Sequence, residues 1–185
     1  MDPQSSSPPL TYNEFLAFCE SQSGRYEYVD GFAIVMAPPS NVHADIATSL
    51  SVLLALHLQK SPCRVRAGAA LSTGKNERIP DILVTCHEDD LRFGNRINRF
   101  PKLVIEILSP NVGDDLDRKV DEYQTVSSIE DYLIVYSTRR TIVHYHREPS
   151  GKFAFEPIVI SGSIHLASID YDLDIDALYR EANLP

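Results

Sequence analysis

The sequence predicts an α/β fold in one domain, and three observations carry that expectation. In residues 100–124, FPKLVIEILSPNVGDDLDRKVDEYQ, the side chains Leu103, Val104, Ile105, Ile107 and Leu108 are large and apolar on both alternating faces. A strand covered on both sides reads this way. A second apolar run, DYLIVY at 131–136, and several shorter strand-like segments alternate with stretches of helical pattern. At 185 residues the chain suffices for one proper core and is short for two.

Taken in order, residues 1–10 are rich in Ser and Pro and are expected to form a disordered tail, with the domain occupying 11–185. Thr11 and Glu14 match a capping box ahead of Phe15, Leu16, Phe18 and Cys19, a short amphipathic helix. Segments 25–29 and 32–36 flank Asp30-Gly31, a two-residue signal for a type I′ hairpin. Glu27, between Tyr26 and Tyr28, reads by itself as a solvent-facing strand acid. A turn over 37–41 leads to the longest helix, 42–59, whose apolar residues cover most of its circumference, so burial on more than one side is expected. His43 stands in its first turn.

Residues 63–67 suggest a strand and 68–78 a looser stretch with a turn at 74–76. Pro80 removes a backbone donor before Asp81, so the edge beside the short strand Ile82-Leu83-Val84 is expected to be open. Residues 88–98, with Arg92 and Arg96, read as a mobile cationic connection. In the strand that follows, Glu106 interrupts the apolar run. An ionised carboxylate there needs a cation, a metal or several donors. Ser109-Pro110 ends the strand, a helix begins near Asp114 with an acidic first turn, and Lys119 lies one turn further in. Strands at 131–136, 141–147 and 152–160 follow, then an irregular stretch at 164–173 and a short helix over 174–182.

No run of about 18–20 apolar residues and no signal peptide is apparent, so neither a membrane span nor export is expected and the reading is cytoplasmic. Cys19, Cys63 and Cys86 are odd in number, far apart and without CxxC spacing, and are expected to be reduced core residues. The net charge of -9 argues against a nucleic-acid partner, but its distribution argues back. Residues 60–102 hold nine cations and five acids, the remainder eight and twenty-one. A basic middle in an acidic chain is compatible with a local anion-binding face.

GxGxxG, Walker, GxSxG and HExxH motifs are absent, which removes the usual support for dinucleotide, P-loop, serine-hydrolase and zincin chemistry. Acids at strand ends with a lysine downstream remain. Two carboxylates at adjoining strand ends make an oxygen-lined site suited to Mg²⁺, with a lysine to stabilise developing charge.

These pieces resemble a family. Pro80-Asp81, Glu106 in a strand ending ILSP, Asp117-Arg118-Lys119 followed by Tyr123, and Glu27 in a YE pair ahead of Asp30-Gly31 look like the Uma-two family of restriction-endonuclease-like proteins, within the PD-(D/E)XK nuclease superfamily. His43, after the proline-rich turn, and DYLIVY match further parts of its pattern, and the resemblance runs over nearly the whole chain. It implies a mixed sheet flanked by helices, restriction-endonuclease-like. It also implies Mg²⁺ (or Mn²⁺) held by Asp81, Glu106 and the carbonyl of Ile107, with Lys119, Glu27 and His43 completing the catalytic set, DNA as the partner, and a homodimer by superfamily habit. One position departs from the wider superfamily: the lysine expected two residues after Glu106 is Leu108, and Lys119 is the matching substitute.

Two readings follow, a Mg²⁺-dependent endonuclease and a nuclease fold kept as a non-catalytic binding module. Carboxylate-based glycoside cleavage ranks below both, because the chain has no Trp on which a sugar could stack.

Overall fold

The computed structural model describes residues 8–109, 115–156, 159–180, 182 and 184. Of the expected tail at 1–10, residues 1–7 lie outside the described residues, as do Pro110 and the acidic helix start at Asp114, whereas Leu10 is tied to the hairpin, its N–H donating to the Gly31 carbonyl and its carbonyl accepting from Tyr28 Oη. Helix α1 (Tyr12–Ser21) carries the expected capping box, with Thr11 Oγ1 accepting from Glu14 N and the Glu14 carboxylate accepting from Thr11 N. Strands β1 (Tyr26–Val29) and β2 (Phe32–Val35) form the hairpin. Its turn residues Asp30 and Gly31 both have positive φ, 51° and 89°, as a type I′ turn requires.

Helix α2 (Asn41–Leu58) leads to β3 (Arg64–Ala67), β4 (Leu71–Ser72), β5 (Glu77–Arg78) and β6 (Ile82–Thr85). A one-turn helix α3 (Glu88–Leu91) precedes the long strand β7 (Pro101–Leu108) and helix α4 (Asp115–Thr125). Strands β8 (Asp131–Tyr136), β9 (Ile142–Arg147), β10 (Phe153–Phe155), β11 (Ser163–Leu166) and β12 (Tyr171–Asp174) and helix α5 (Ile175–Tyr179) complete the described chain.

The centre is a six-stranded mixed sheet in the order β10-β9-β8-β7-β6-β3, beside a four-stranded sheet β2-β1-β5-β4 and the β11-β12 hairpin. Within the central sheet β7 and β8 are parallel and the other neighbours antiparallel. A parallel pair needs a crossover, which α4 supplies. Strand parity then sorts the core. Leu103, Ile105 and Ile107 pack with α2 and α5, whereas Val104 packs with Leu83, Tyr132 and the α4 residue Tyr123. Glu106 shares the parity of Val104 and therefore faces α4.

Several expectations are corrected. Helix α2 buries a single stripe, Ile46, Leu50, Leu54 and Leu58, and leaves Val52 and Leu56 more than half exposed, so it is not buried on several sides. It is long and apolar enough to pass for a membrane span, yet that stripe packs on the sheet. Residues 164–173 are not irregular but hold most of the β11-β12 hairpin. The 88–98 connection is anchored rather than loose. Buried Asp90 accepts from the backbone N–H of Arg99 and Phe100 and from Thr85 Oγ1, and Arg66 donates to the Asp90 carbonyl.

The edge beside Pro80 is laddered on both sides of β6, and Gly68 N donates to the Asp81 carbonyl. Cys63 and Cys86 are not reduced but joined as a disulfide, while Cys19 is free. The register Arg64↔Thr85 continues one step to set these two residues face to face, which their separation of 23 in sequence concealed.

Candidate active site

The register Ile82↔Ile105 sets Asp81, just before β6, beside Glu106 of β7. Asp81 has the parity of Leu83, which packs in the α4-side core, so both carboxylates lie toward that face. Asp81 takes over where the ladder stops. Ile107 N donates to its Oδ2 at 2.6 Å, a bond that a backbone carbonyl would accept were β6 longer. In a strand the N–H and C=O of one residue address the same neighbour, so the Ile107 carbonyl faces the Asp81 side as well. Asp81 Oδ1 lies 2.9 Å from His43 Nε2 in the first turn of α2, where Ser40 caps the helix, and His43 Nδ1 lies 3.4 Å from Ser109 Oγ.

Glu106, only 6% exposed, is met by α4. Lys119 and Tyr123, four residues apart, share one face of that helix. Lys119 Nζ donates to Glu106 Oε1 at 3.1 Å and Tyr123 Oη donates to the same oxygen at 2.7 Å. Among the described residues nothing donates to the second oxygen, Oε2. Lys119 also lies 3.7 Å from Glu27 Oε1. Glu27 is not the solvent-facing acid that its strand pattern suggests. It is buried, with Oε2 receiving Arg78 Nη1 at 2.9 Å and Oε1 receiving Ile79 N at 2.9 Å. Arg78, itself buried, continues to Glu122 with Nε and Nη2, each at 2.8 Å.

The electrostatics are those of a site with surplus negative charge. Burial raises the Glu106 pKa above the usual carboxylate range; Lys119 and the Tyr123 hydrogen bond oppose the rise, and Asp81 and Glu27 add to it. Burial works against the charge of Lys119, but Glu106 and Glu27 outweigh it and hold the ammonium above its ordinary pKa. Burial, followed by the neighbouring charge of Glu106, pushes the Tyr123 phenol well up, so it remains a donor. Lys119 is thus the member of the pair held charged. Glu106, buried and with two anionic neighbours, is the one whose charged form the site disfavours.

The sign of the resulting pH dependence follows. A carboxyl with a raised pKa in the folded state gives stability that is full below its unfolded value, near 4.5, and lost as pH rises through the folded value. Without metal the thermal midpoint should therefore fall with rising pH above that point by more in the wild type than in Glu106→Gln. Calorimetric melts of the two proteins in parallel check this, and parallel curves would remove Glu106 as the cause.

The five side chains expected from the sequence fall into two contact groups, His43 with Asp81 and Lys119 with Glu106 and Glu27, which meet at the Glu106–Ile107 backbone, where the Ile107 N–H donates to Asp81. Tyr123, which the family pattern marks without assigning it a role, and Arg78 and Glu122, which nothing in the sequence singles out, also belong to this site. The i, i+4 spacing of Lys119 and Tyr123 was the available signal for the tyrosine. Nothing local marked Arg78, whose two partners are 51 and 44 residues away.

The site fits a hard divalent cation. Asp81, Glu106 and the Ile107 carbonyl offer oxygen only, Oε2 of Glu106 has no donor among the described residues, and the local charge is negative. Among the described residues no three His, Cys, Asp or Glu side chains converge as a metal cluster, so the fit rests on two carboxylates and a carbonyl. Mg²⁺ suits such a set because it retains several waters.

Part of the charge of the basic middle segment is committed, while Lys60, Arg64 and Arg99 are exposed without an acidic partner among the described residues. Arg78 is buried, Lys75 pairs with Asp30, Arg92 with Asp89, Arg96 with Glu77 and Lys102 with Glu130.

Comparison with known proteins agrees with this architecture. The Uma2 family model, described as "Putative restriction endonuclease", matches residues 12–167. An uncharacterized protein of Synechocystis sp. is 31% identical over 182 residues, covering 96% of this chain and 95% of the relative. A second uncharacterized protein of the same organism is 24% identical over 143 residues, covering 75% of this chain and 81% of that one. The crystal structure of "a putative nuclease belonging to DUF820" from Anabaena variabilis superposes with a TM-score of 0.78 at 18% identity, covering 94% of this chain and 99% of the other. That likeness shows a shared fold, the mixed sheet flanked by helices expected of restriction-endonuclease-like proteins.

Proposed function

This chain belongs to the Uma2 family, and on that premise we propose that it is a Mg²⁺- or Mn²⁺-dependent endonuclease that hydrolyses DNA phosphodiester bonds at the Asp81–Glu106–Lys119 site. The observation that carries the reading is the meeting of Lys119 Nζ with Glu106 at 3.1 Å from a separate helix. It supplies the amine that Leu108 denies to the strand. The described family and the DUF820 likeness support a nuclease role.

Asp81, Glu106 and the Ile107 carbonyl would hold the ion, which when bound supplies a polarised phosphoryl oxygen and a water of lowered pKa. Lys119 keeps its proton and donates it in hydrogen bonding to a phosphate oxygen or to the attacking water. Tyr123 anchors the Glu106 oxygen that faces α4, and His43 orients Asp81. Glu27, bound on both oxygens, positions Lys119 rather than offering itself as a free ligand.

The direct test is supercoiled and single-stranded DNA incubated with purified protein and Mn²⁺ or Mg²⁺. Wild type should cleave, and Lys119→Met should cleave roughly 10²- to 10³-fold more slowly while retaining metal binding by calorimetry. An inert wild type would overturn the proposal. A second reading, a non-catalytic binding module, draws on the net charge of -9 and on Leu108 in the lysine position; it predicts no calorimetric metal site.

A further inference from the structure

Arg25, just before β1, carries a charge near the site that no carboxylate meets among the described residues. The other basic side chains of this region are committed: Lys119 to Glu106, Arg78 to Glu27 and Glu122, Arg118 to Asp30 and Glu122, and Lys75 to Asp30. Arg25 is exposed, and its guanidinium bonds to a backbone group instead, Nη2 donating to the Gly68 carbonyl at 2.9 Å.

Strand geometry brings that guanidinium to the site. The Met36 N–H donates to the Arg25 carbonyl, so the β1-β2 ladder continues through Arg25, which then shares the parity of Glu27 two residues on. Glu27 lies 3.7 Å from Lys119. Extending the Tyr28↔Glu77 register by three steps sets Arg25 opposite Pro80, the residue before Asp81. The tether leads to the same place. Gly68, whose carbonyl holds Nη2, donates its own N–H to the Asp81 carbonyl at 2.8 Å. Gly68 has φ 57°, and a Cβ there would overlap Arg25 Nη2, so the lack of a side chain lets the guanidinium lie against the backbone.

The site opens on this side. The Asp81 side chain is 20% exposed, against 8% for Glu106 and 6% for Glu27. A polyanion arriving at Asp81 therefore meets three carboxylates, and the ammonium among them already serves Glu106 and Glu27. A cation at the rim with no acid of its own supplies the counter-charge that such a ligand needs.

We propose that Arg25 binds a backbone phosphate of the DNA strand next to the cleaved bond. The Gly68 carbonyl fixes one arm of the guanidinium and leaves the rest of the fork for phosphate oxygens. This rests on the nuclease reading above and adds the residue that grips the substrate at the Asp81 rim.

The test uses the full chain carrying Lys119→Met, with Mn²⁺, so that DNA stays bound while cleavage is slow. Fluorescence anisotropy of a labelled duplex is followed across a KCl series. Adding Arg25→Gln should weaken binding roughly tenfold and flatten the plot of log K against log salt by about 0.9, the contribution of one B-DNA phosphate. Arg25→Lys, which keeps the charge without the fork, should keep the slope. With Lys119 in place, Arg25→Gln should raise KM for plasmid DNA roughly tenfold, with kcat falling by less than KM rises. An unchanged slope in Arg25→Gln overturns the inference even if wild type cleaves. So does an equal loss of affinity in the Gln and Lys proteins accompanied by a lowered melting temperature, which would make Arg25 a structural tie to Gly68. A chain that does not bind the duplex at all overturns both this inference and the nuclease reading. Wild type that binds without cleaving, with the slope still flattened by Arg25→Gln, upholds the phosphate contact and sinks the nuclease reading alone.

Discussion

A Glu106→Gln protein is expected to lose Mn²⁺ binding and to cleave DNA about a thousandfold more slowly or worse, while melting at a higher temperature than wild type when no metal is present. Both effects have one source. Glu106 is buried and has Asp81 and Glu27 as anionic neighbours, so its charged form is held at a cost in the metal-free protein. Glutamine keeps the shape and still accepts from Tyr123 and Lys119. Lys119 keeps Glu27 as its counterion. What disappears is the anion a divalent ion requires. Removing a strained functional charge commonly stabilises by about 0.5–2 kcal/mol. Calorimetric titration with Mn²⁺, differential scanning calorimetry and plasmid cleavage read the three effects separately. Cleavage at near wild-type rate by the glutamine protein would sink the assignment of Glu106, whatever happened to the melting temperature.

The second large effect is structural. Arg78→Met should destabilise the fold by about 3–5 kcal/mol, because it breaks a buried ion network from its centre. The guanidinium is 1% exposed and serves Glu27 and Glu122 together. Without it Glu27 retains Lys119 and the Ile79 N–H, and Glu122 retains Asn76 and Arg118, so each carboxylate is left underpaired rather than isolated. For a chain of this size the loss corresponds to a fall in melting temperature on the order of 10 °C. Urea denaturation of the two proteins measures it, and a difference below about 1 kcal/mol would mean that the network relaxes around the gap. Because Glu27 positions Lys119, any Arg78→Met protein that remains folded should also show slowed cleavage with metal binding kept.

Much of this molecule could be read locally. The Asp30-Gly31 turn, the Thr11–Glu14 capping box and the two-faced apolar strand around Glu106 each depend on neighbours within a few residues, and each is found where the pattern placed it. The candidate site was legible for a related reason. Asp81 and Glu106 stand at strand ends, and a carboxylate inside an apolar run is conspicuous without any knowledge of its surroundings. The errors share the opposite property. The 88–98 connection reads as mobile because its anchor is the single buried carboxylate of Asp90, whose partners at Thr85, Arg99 and Phe100 cannot be told from ordinary turn residues. The apolar girth of α2 predicts burial all round, yet the sheet covers only one stripe of it.

By itself, then, the order of residues determined the elements, the acids that interrupt them and the helix from which the amine comes, because backbone geometry and desolvation act on each residue where it stands. Only the tertiary structure decided the partners: Cys63 with Cys86, Glu27 with Arg78, Asp81 with the Ile107 N–H, Lys119 over Glu106. Those depend on strand register and helix placement, which set distances between residues tens of positions apart, and a shift of one residue in the register of β7 would turn Glu106 to the opposite face of the sheet, away from Lys119.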